Sequence, residues 1–206
     1  DVATGRRRHL TPHEGTVRHL SADWGPDGEG VYLATDRDTD TLRLSHIDLS
    51  TDELSAVGAA GSEATPLADD AWNVDGVAVD QDSRRLVYSR NVDGYTELGV
   101  GELVAPGRLD HFPTPDLPPC VAGGVSFGPD GDRFALTVTR IDDTANVHVA
   151  DATTGETERF TRPSTAGIPR DTFVTPEPVR YPSLADRDLP PFFCLPETAP
   201  RHAETP

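Results

Sequence analysis

A five-residue phrase that returns along the chain constrains the fold more than any other feature of the sequence. Trp-Gly-Pro-Asp-Gly at residues 24–28 returns as Phe-Gly-Pro-Asp-Gly at 127–131, and a degraded copy, Val-Asp-Gln-Asp-Ser, occupies 79–83. The copies begin 55 and then 48 residues apart. A repeat of this length is typical of one four-stranded blade of a β-propeller.

The residues of the phrase favour a turn between two strands. Proline presets φ, aspartate supports the turn through its side chain, and glycine takes the position that tolerates positive φ. Alternating β-branched segments flank each copy, and each hairpin is followed by a third and a fourth strand pattern. The sequence therefore predicts an all-β fold: a lead-in at 1–15, then three four-stranded propeller blades at about 16–66, 67–115 and 116–161.

Three blades are too few for a closed propeller, because closed rings have about 4–8 blades. The chain is expected to be a partial β-propeller: a fragment, a truncated gene product, or a protein that closes by association. Open blade edges invite pairing, so self-association is one expected interaction.

The residues after the third blade have a different composition. Ten of the 19 prolines lie between residues 163 and 206, so 162–206 is predicted to be an extended, proline-rich tail. Residues 177–196 have the pattern of two strands about a polar turn. Within them, Val-Arg-Tyr-x-Ser-x-x-Asp at 179–186 precedes Leu-Pro-x-x-x-x-Leu-Pro at 189–196.

This order, a propeller with Gly-Pro-Asp-Gly turns followed by that motif, resembles the prolyl oligopeptidase family of serine peptidases. The resemblance is to its acylaminoacyl-peptidase and dipeptidyl-aminopeptidase branch and covers roughly residues 9–196. It implies that 162–206 is a linker followed by the first strands of an α/β-hydrolase domain. Arg187 departs from the pattern, since a glycine is usual there.

The resemblance implies a substrate-gating role. In the family the propeller covers the active site and admits short peptides, so peptide substrates are the expected partners once a hydrolase domain is joined. The family's serine, acid and histidine lie in that domain, and none maps onto this chain, which is expected to be inactive alone. No catalytic, cofactor-binding or metal residue is assigned. The alternative is a non-enzymatic propeller scaffold for protein–protein interaction.

The charge of the chain excludes several partner classes. There are 35 acidic residues against 18 basic ones, all arginine, for a net charge of -17. Such a surface repels nucleic acid and anionic lipid, and no apolar run reaches the ~18 residues of a membrane span. The composition indicates a halophilic, cytoplasmic protein, because at molar salt the Debye length falls to ~3 Å and repulsion between carboxylates is screened.

Two motifs resemble functional sites but fit a structural explanation better. Gly124-Val-Ser126-Phe-Gly128 matches the nucleophile elbow G-x-S-x-G, with His202 downstream, yet a turn and a strand follow where the elbow needs a helix. The carboxylates at 36, 38 and 40 have the spacing of a calcium loop, but Thr41 and Ile47 replace its glycine and glutamate. We interpret both as parts of hairpins.

The remaining candidates are single residues. His9 and His13 are four apart, but Pro12 disfavours a helix that would bring them to one zinc ion. Cys120 and Cys194 are interpreted as small buried hydrophobic residues. The two tryptophans, Trp24 and Trp72, are predicted to pack between blades.

Overall fold

The computed structural model describes residues 2–61, 71–182, 188–189 and 192–194. The described residues contain β-strands and two short 3₁₀ turns, Pro26–Gly28 and Arg170–Thr172, and no α-helix. The strands of the predicted blades are β1 His19–Trp24, β2 Gly30–Thr35, β3 Arg43–Asp48, β4 Leu54–Ala56, β5 Gly58–Ala59, β6 Val74–Asp80, β7 Arg85–Val92, β8 Tyr95–Ala105, β9 Arg108–His111, β10 Val121–Phe127, β11 Arg133–Arg140, β12 Asp143–Asp151 and β13 Thr157–Arg159.

These strands form three separate sheets. The first has the order β1-β2-β3-β4, the second β5-β9-β8-β7-β6, and the third β10-β11-β12-β13. Every pair of neighbours is antiparallel except β5 and β9. The all-β prediction with meandering four-stranded units is confirmed.

The repeated phrase forms the turn between the first two strands of a sheet. In the first sheet the Gly25 N–H donates to the Gly30 carbonyl (2.9 Å) and the Gly28 N–H to the Gly25 carbonyl (3.2 Å). The third sheet repeats both bonds, from Gly128 to Arg133 (2.8 Å) and from Gly131 to Gly128 (3.1 Å). Gly28 and Gly131 have φ of 69° and 68°, so both glycines hold the left-handed conformation that the phrase predicts.

The degraded copy makes the same turn with different groups. Asp80 stands where the other copies have glycine, and its carboxylate accepts from the Ser83 N–H (3.0 Å) and hydroxyl (2.5 Å). The left-handed residue is Arg84, with φ 61°, one position later than glycine in the other copies. A side-chain acceptor therefore replaces the backbone carbonyl at this turn.

Two apolar layers hold the sheets together. We call the interface between the first and second sheets the first seam, and that between the second and third sheets the second seam. Leu86 and Val87 of β7 are both nearly inaccessible, yet they belong to different layers, because neighbouring strand residues point to opposite faces. The first seam also buries Tyr32 and Leu44. The second seam also buries Leu98, Val100, Phe134, Leu136 and Val138.

One strand was not predicted from the sequence. Gly58–Ala59, within the predicted first blade, runs parallel to β9 and becomes the outer strand of the second sheet. The Gly58 N–H donates to the Gly107 carbonyl (3.0 Å) and the Ala60 N–H to the Leu109 carbonyl (2.9 Å). The segment that connects the first sheet to the second therefore already hydrogen-bonds, through Gly58–Ala59, to the second sheet.

The face of the first sheet that points away from the first seam is also buried. Leu33 and Ile47 on this face are each 2% exposed. Arg8 of the lead-in donates to the Leu49 carbonyl at one edge of this sheet (2.9 Å). Arg18, directly before β1, pairs with Asp36 (2.6 Å). The lead-in therefore binds along the outer end of the first sheet.

Two packing predictions are wrong. Trp24 does not pack between sheets: it is 53% exposed and borders a cavity of about 440 Å³ with Arg8 and Leu10 of the lead-in. Cys194 is exposed rather than buried, because it lies in the tail and not in a sheet. Cys120, by contrast, is buried in the second seam, as predicted.

Candidate functional site

The tail returns to the sheets and binds at one end of them. Its described strands are β14 Glu177–Pro178, β15 Tyr181–Pro182, β16 Asp188–Leu189 and β17 Phe192–Phe193. β14 pairs with β17 and β15 with β16, both antiparallel, so the chain folds back on itself as a ribbon. We call the place where this ribbon meets the second and third sheets the tail-docking site.

An aromatic contact anchors the ribbon to the second sheet. The β7–β8 turn holds Asp93 and Gly94 at φ of 50° and 87°, a turn that matches the twist of an antiparallel hairpin. The Phe192 ring lies against Gly94, where a Cβ would approach it to 2.8 Å. It also meets Tyr95 edge-on, with ring centroids 5.1 Å apart. The bare glycine backbone therefore makes room for the ring.

Charged groups hold the tail to both sheets. Arg140 binds Asp142 through two bonds of 2.7 Å, and the Thr175 hydroxyl donates to the same carboxylate at 3.1 Å. The bond from Arg140 holds the pKa of Asp142 below its ordinary value, so this carboxylate stays ionised. Arg180 forms a second ion pair with Asp93. The tail thus contacts the β7–β8 turn and the β11–β12 turn, which lie at the same end of their sheets.

A cavity of about 420 Å³ lies beneath the docked tail. Tyr95, Cys120, Ile141 and Phe192 contribute to its mainly apolar lining. Burial raises the pKa of the Cys120 thiol above its ordinary value, so the sulfur is a poor nucleophile. The cavity can accommodate apolar groups but offers no activated residue for chemistry.

A second cavity, of about 510 Å³, opens in the first seam. It is bordered by Tyr32 and His46 of the first sheet and by Arg84 and Pro106 of the second. The Gly107 N–H donates to the Tyr32 hydroxyl at 3.1 Å, which ties the two sheets together. His46 is 6% exposed, and burial lowers the pKa of its imidazole below 6.5, so the ring is neutral at pH 7.

In the second seam, the place equivalent to this cavity is filled by the side chain of Arg85. The Arg85 guanidinium donates to the Gly131 carbonyl (2.6 Å), to the Asp132 carboxylate (2.6 Å) and to the Thr153 hydroxyl (3.3 Å). It also lies 5.9 Å from the centre of the Phe112 ring. One side chain thereby joins the second sheet to two turns of the third. Aligning the three turn copies places Gly30, Arg85 and Arg133 at the same position, which sequence reasoning had not exploited.

The structure places the candidate motifs in hairpins. Ser126 lies in β10 opposite Ala135, with Gly124 at a bulge of φ 68°, so a strand follows the turn where a nucleophile elbow has a helix. Asp36 accepts from the Arg18 backbone (2.7 Å) and guanidinium (2.6 Å), which fixes it as a structural carboxylate. His202 lies outside the described residues.

The remaining candidates are not brought together into a site. Among the described residues no group of three or more His, Cys, Asp or Glu side chains could hold a metal ion. His13 packs against His19 (ring centroids 5.2 Å apart), and His9 is exposed. Trp72 is half-buried. No helix within the described ranges is long and apolar enough to cross a membrane.

Several solved structures have the same fold. A prolyl endopeptidase matches with a TM-score of 0.74 and 17% identity, covering 96% of this chain and 27% of its own. Prolyl oligopeptidase B from Galerina marginata gives 0.67 and 16%, covering 90% and 24%. Puromycin hydrolase gives 0.61 and 18%, covering 86% and 25%.

These likenesses show the fold. The chain spans about a quarter of the length of the structures that it matches. No protein-family model and no curated protein matches the sequence. The sheets described above therefore correspond to part of a propeller of the kind found in prolyl oligopeptidases.

Proposed function

We propose that the chain is the substrate-gating propeller part of a serine peptidase of the prolyl oligopeptidase kind. The main support is the tail-docking site, where the chain leaves the third sheet and binds to one end of the second and third sheets. A hydrolase domain that continued from this tail would sit over that end. The sheets would then restrict access to its active site, and short peptides would be the substrates.

The proposal assigns the chemistry to the joined domain and not to this chain. Acyl transfer needs a nucleophile, a base within hydrogen-bond reach and an oxyanion site. Ser126, the one serine in a nucleophile-like motif, lies within a strand opposite Ala135. Gating by a propeller acts through access, so it requires no catalytic, cofactor-binding or metal residue here.

A direct assay tests this division of labour. The purified chain in molar salt is given a small acylated peptide ester, and hydrolysis is followed against buffer alone. We expect no turnover above the background. Turnover that Ser126→Ala abolishes would contradict the proposal and make this chain an esterase.

The second candidate is a non-enzymatic scaffold that binds another protein. The exposure of Phe160, which follows β13 in the third sheet and is 71% exposed among the described residues, favours it. The reading frame after Pro206 separates the two candidates. A downstream G-x-S-x-G between strand and helix patterns favours the peptidase, whereas further blades or a stop codon favour the scaffold.

We further propose that the protein works in a cytoplasm of high salt, as the net charge of -17 suggests. Lowering the salt to ~0.1 M lengthens the Debye length to ~10 Å, so carboxylates on the surface repel one another over longer distances. We expect the circular dichroism spectrum to lose folded signal on this dilution. A spectrum that stays unchanged would contradict the halophilic assignment. Copies of the chain are also proposed to associate through open blade edges.

A further inference from the structure

The cavity of about 510 Å³ in the first seam lies between two described sheets, at their end opposite to the tail-docking site. Four turns border it: β1–β2 at Pro26, β3–β4 at Ser50, β6–β7 at Arg84 and β8–β9 at Pro106. The tail instead contacts the β7–β8 and β11–β12 turns. Small-molecule sites in proteins have volumes of about 300–1,000 Å³, so this cavity is large enough for a small ligand.

The repeat places no side chain in this cavity. In the second seam the side chain of Arg85 acts as a clamp that joins two sheets. At the equivalent position the first sheet has Gly30. A Cβ at Gly30 would lie 2.1 Å from Nε2 of His46, so the imidazole stands where the clamp side chain would begin. The cavity is the space that this imidazole and the neighbouring turns leave open.

The charge that faces this space is reversed between the two seams. In the second seam the Arg85 guanidinium binds the Asp132 carboxylate at 2.6 Å. In the aligned turn copies, Arg84 of the second sheet stands at the position of Asp132 in the third. The Arg84 Nε donates to the Leu103 carbonyl (2.8 Å), which holds the guanidinium at the border of the cavity. A group that took the place of the clamp in the first seam would meet a positive charge, so a negative group is complementary to it.

Two buried polar side chains of the first sheet border the same cavity. His46 is 6% exposed, and among the described residues none forms a hydrogen bond with its ring nitrogens. The Tyr32 hydroxyl accepts from the Gly107 N–H, which leaves its own proton available to donate. A neutral imidazole also carries one N–H donor. Since buried polar groups are normally hydrogen-bonded, both side chains favour an acceptor inside the cavity.

The carboxylates at the border limit the charge of such a ligand. Asp48 accepts from the Ser50 N–H (2.7 Å), the Ser50 hydroxyl (2.6 Å) and the Thr51 N–H (3.2 Å), so it is held by its own turn. Glu29, the second border carboxylate, is exposed. A phosphate group carries about 1.5–2 negative charges and would be repelled by both. A ligand with one negative charge is therefore favoured over a phosphate.

We propose that the first-seam cavity binds an organic carboxylate with a short apolar body, about the size of one blocked amino acid. The carboxylate accepts hydrogen bonds from the Arg84 guanidinium, the His46 imidazole and the Tyr32 hydroxyl. The apolar body packs against Pro26 and Pro106, one from each sheet. A free acid and the C-terminal end of a peptide share this chemistry. The site lies away from the tail-docking site and does not depend on the peptidase assignment.

Titration calorimetry of the purified chain in molar salt tests the proposal with N-acetylleucine as the probe. We expect saturable binding with a dissociation constant on the order of 1 mM. N-acetylleucinamide, which keeps the body but removes the charge, should bind at least tenfold more weakly. An acetylated Ala-Ala-Leu peptide with a free C-terminus separates the two sources. Binding as tight as that of N-acetylleucine identifies a peptide end as the ligand, and binding of N-acetylleucine alone identifies a free acid.

Three variants locate the site. Arg84→Gln should weaken the binding of N-acetylleucine at least tenfold, and His46→Val should weaken it severalfold. Arg133→Gln, at a 57% exposed arginine of the third sheet, is the matched control and should leave the dissociation constant unchanged. Circular dichroism at the same salt checks that each variant is folded. If Arg84→Gln does not fold, His46→Val and the amide probe decide the result.

Three results would overturn the proposal. The first is the absence of saturable binding by the unmodified chain. The second is equal binding of the acid and its amide, which would show that the charge is not recognised. The third is unchanged binding by folded variants at both Arg84 and His46. None of these results bears on the ester assay, so failure of this proposal is distinct from failure of the proposed function.

Discussion

The two seams join sheets of the same kind by different means. The second seam is closed by Arg85, which reaches two turns of the next sheet, and by the close approach of Gly131 to Ser83. At the first seam the equivalent residue is Gly30, and the His46 imidazole lies against it where a side chain would otherwise be. A cavity of about 510 Å³ remains. At this position of the repeat, the second seam has an arginine that bridges two sheets, whereas the first seam has a glycine beside a cavity.

The glycines of the two well-formed turn copies provide the largest test of this difference. Gly28 and Gly131 share a φ near +70°, but a Cβ at Gly131 would overlap Ser83 of the neighbouring sheet, whereas one at Gly28 meets nothing within 4 Å. Gly28→Ala should destabilise the chain by the strain alone, about 1–2 kcal/mol. Gly131→Ala should add an overlap of about 1–3 kcal/mol. Chemical denaturation in molar salt measures both, and equal losses would refute the close packing of the second seam.

The arginine clamp provides the next largest effect. Arg85→Ala removes bonds to a carbonyl, a carboxylate and a hydroxyl, and we expect a loss of about 1–3 kcal/mol in the free energy of unfolding. Asp132, its acidic partner, is 62% exposed, which limits the contribution of the ion pair. Arg133→Ala is the matched control: Arg133 is 57% exposed and its described contact is an ion pair of 3.8 Å with Glu158, so the free energy of unfolding should change by less than about 0.5 kcal/mol. If Arg133→Ala lowered the free energy of unfolding as much as Arg85→Ala, the contacts of Arg85 across the second seam would contribute no more than those of an exposed arginine.

The first seam depends on a neutral hydrogen bond instead. Tyr32→Phe keeps the ring in the apolar layer but leaves the buried Gly107 N–H without its acceptor. The expected loss is about 0.5–1.5 kcal/mol, the usual net contribution of one such bond. The matched comparison is Tyr95→Phe, which removes the hydroxyl of a tyrosine at the tail-docking site and should lower the free energy of unfolding by less. The interpretation fails if removing the Tyr32 hydroxyl leaves the denaturation midpoint unchanged.

The smallest expected effect is on the pH dependence of stability, to which His46 contributes in the first seam. Burial lowers the pKa of His46 below 6.5, so the unfolded chain binds a proton more readily than the folded one. Stability should therefore fall as the pH is lowered below about 6.5. His46→Val should reduce this dependence. Valine is the residue at the equivalent positions of the second and third sheets, 100 and 149. The rings of His19, His111 and His148 will preserve part of the pH dependence, since desolvation lowers their pKa as well.

Denaturation midpoints at pH 7 and pH 5, in the same molar salt, measure that dependence. Thr137→Val, which introduces a valine at an exposed position of the third sheet and removes no titratable group, serves as the control and should leave the slope unchanged. A His46→Val variant with the slope of the unmodified chain would show that His46 does not contribute.

The hairpins of all three sheets could be predicted because their signals are local. The turn phrase fixes where the chain reverses, and alternation fixes which residues enter a seam, as with Phe134 and Leu136. The parallel strand Gly58–Ala59 could not be predicted, because two residues carry no alternation. The exposure of Trp24 depends on where the lead-in binds, which no local pattern records.

The candidate site was less accessible to sequence reasoning. Phe192 and Gly94 are nearly a hundred residues apart, and only the folded tail brings them together. The clamp at Arg85, however, was within reach: the aligned turn copies place Arg85 and Arg133 together and mark Gly30 as the exception. A repeat thus predicts not only a fold but also the position at which its units diverge.

The parallel strand Gly58–Ala59 has a consequence for how the molecule could be divided. It belongs to the first repeat in sequence but hydrogen-bonds to the second sheet, so the border between repeats and the border between hydrogen-bonded units do not coincide. A cut placed at the repeat border would leave β9 with an exposed edge of backbone donors and acceptors. Pieces of this chain intended to fold alone should therefore begin before Gly58, even when the first sheet is to be left out.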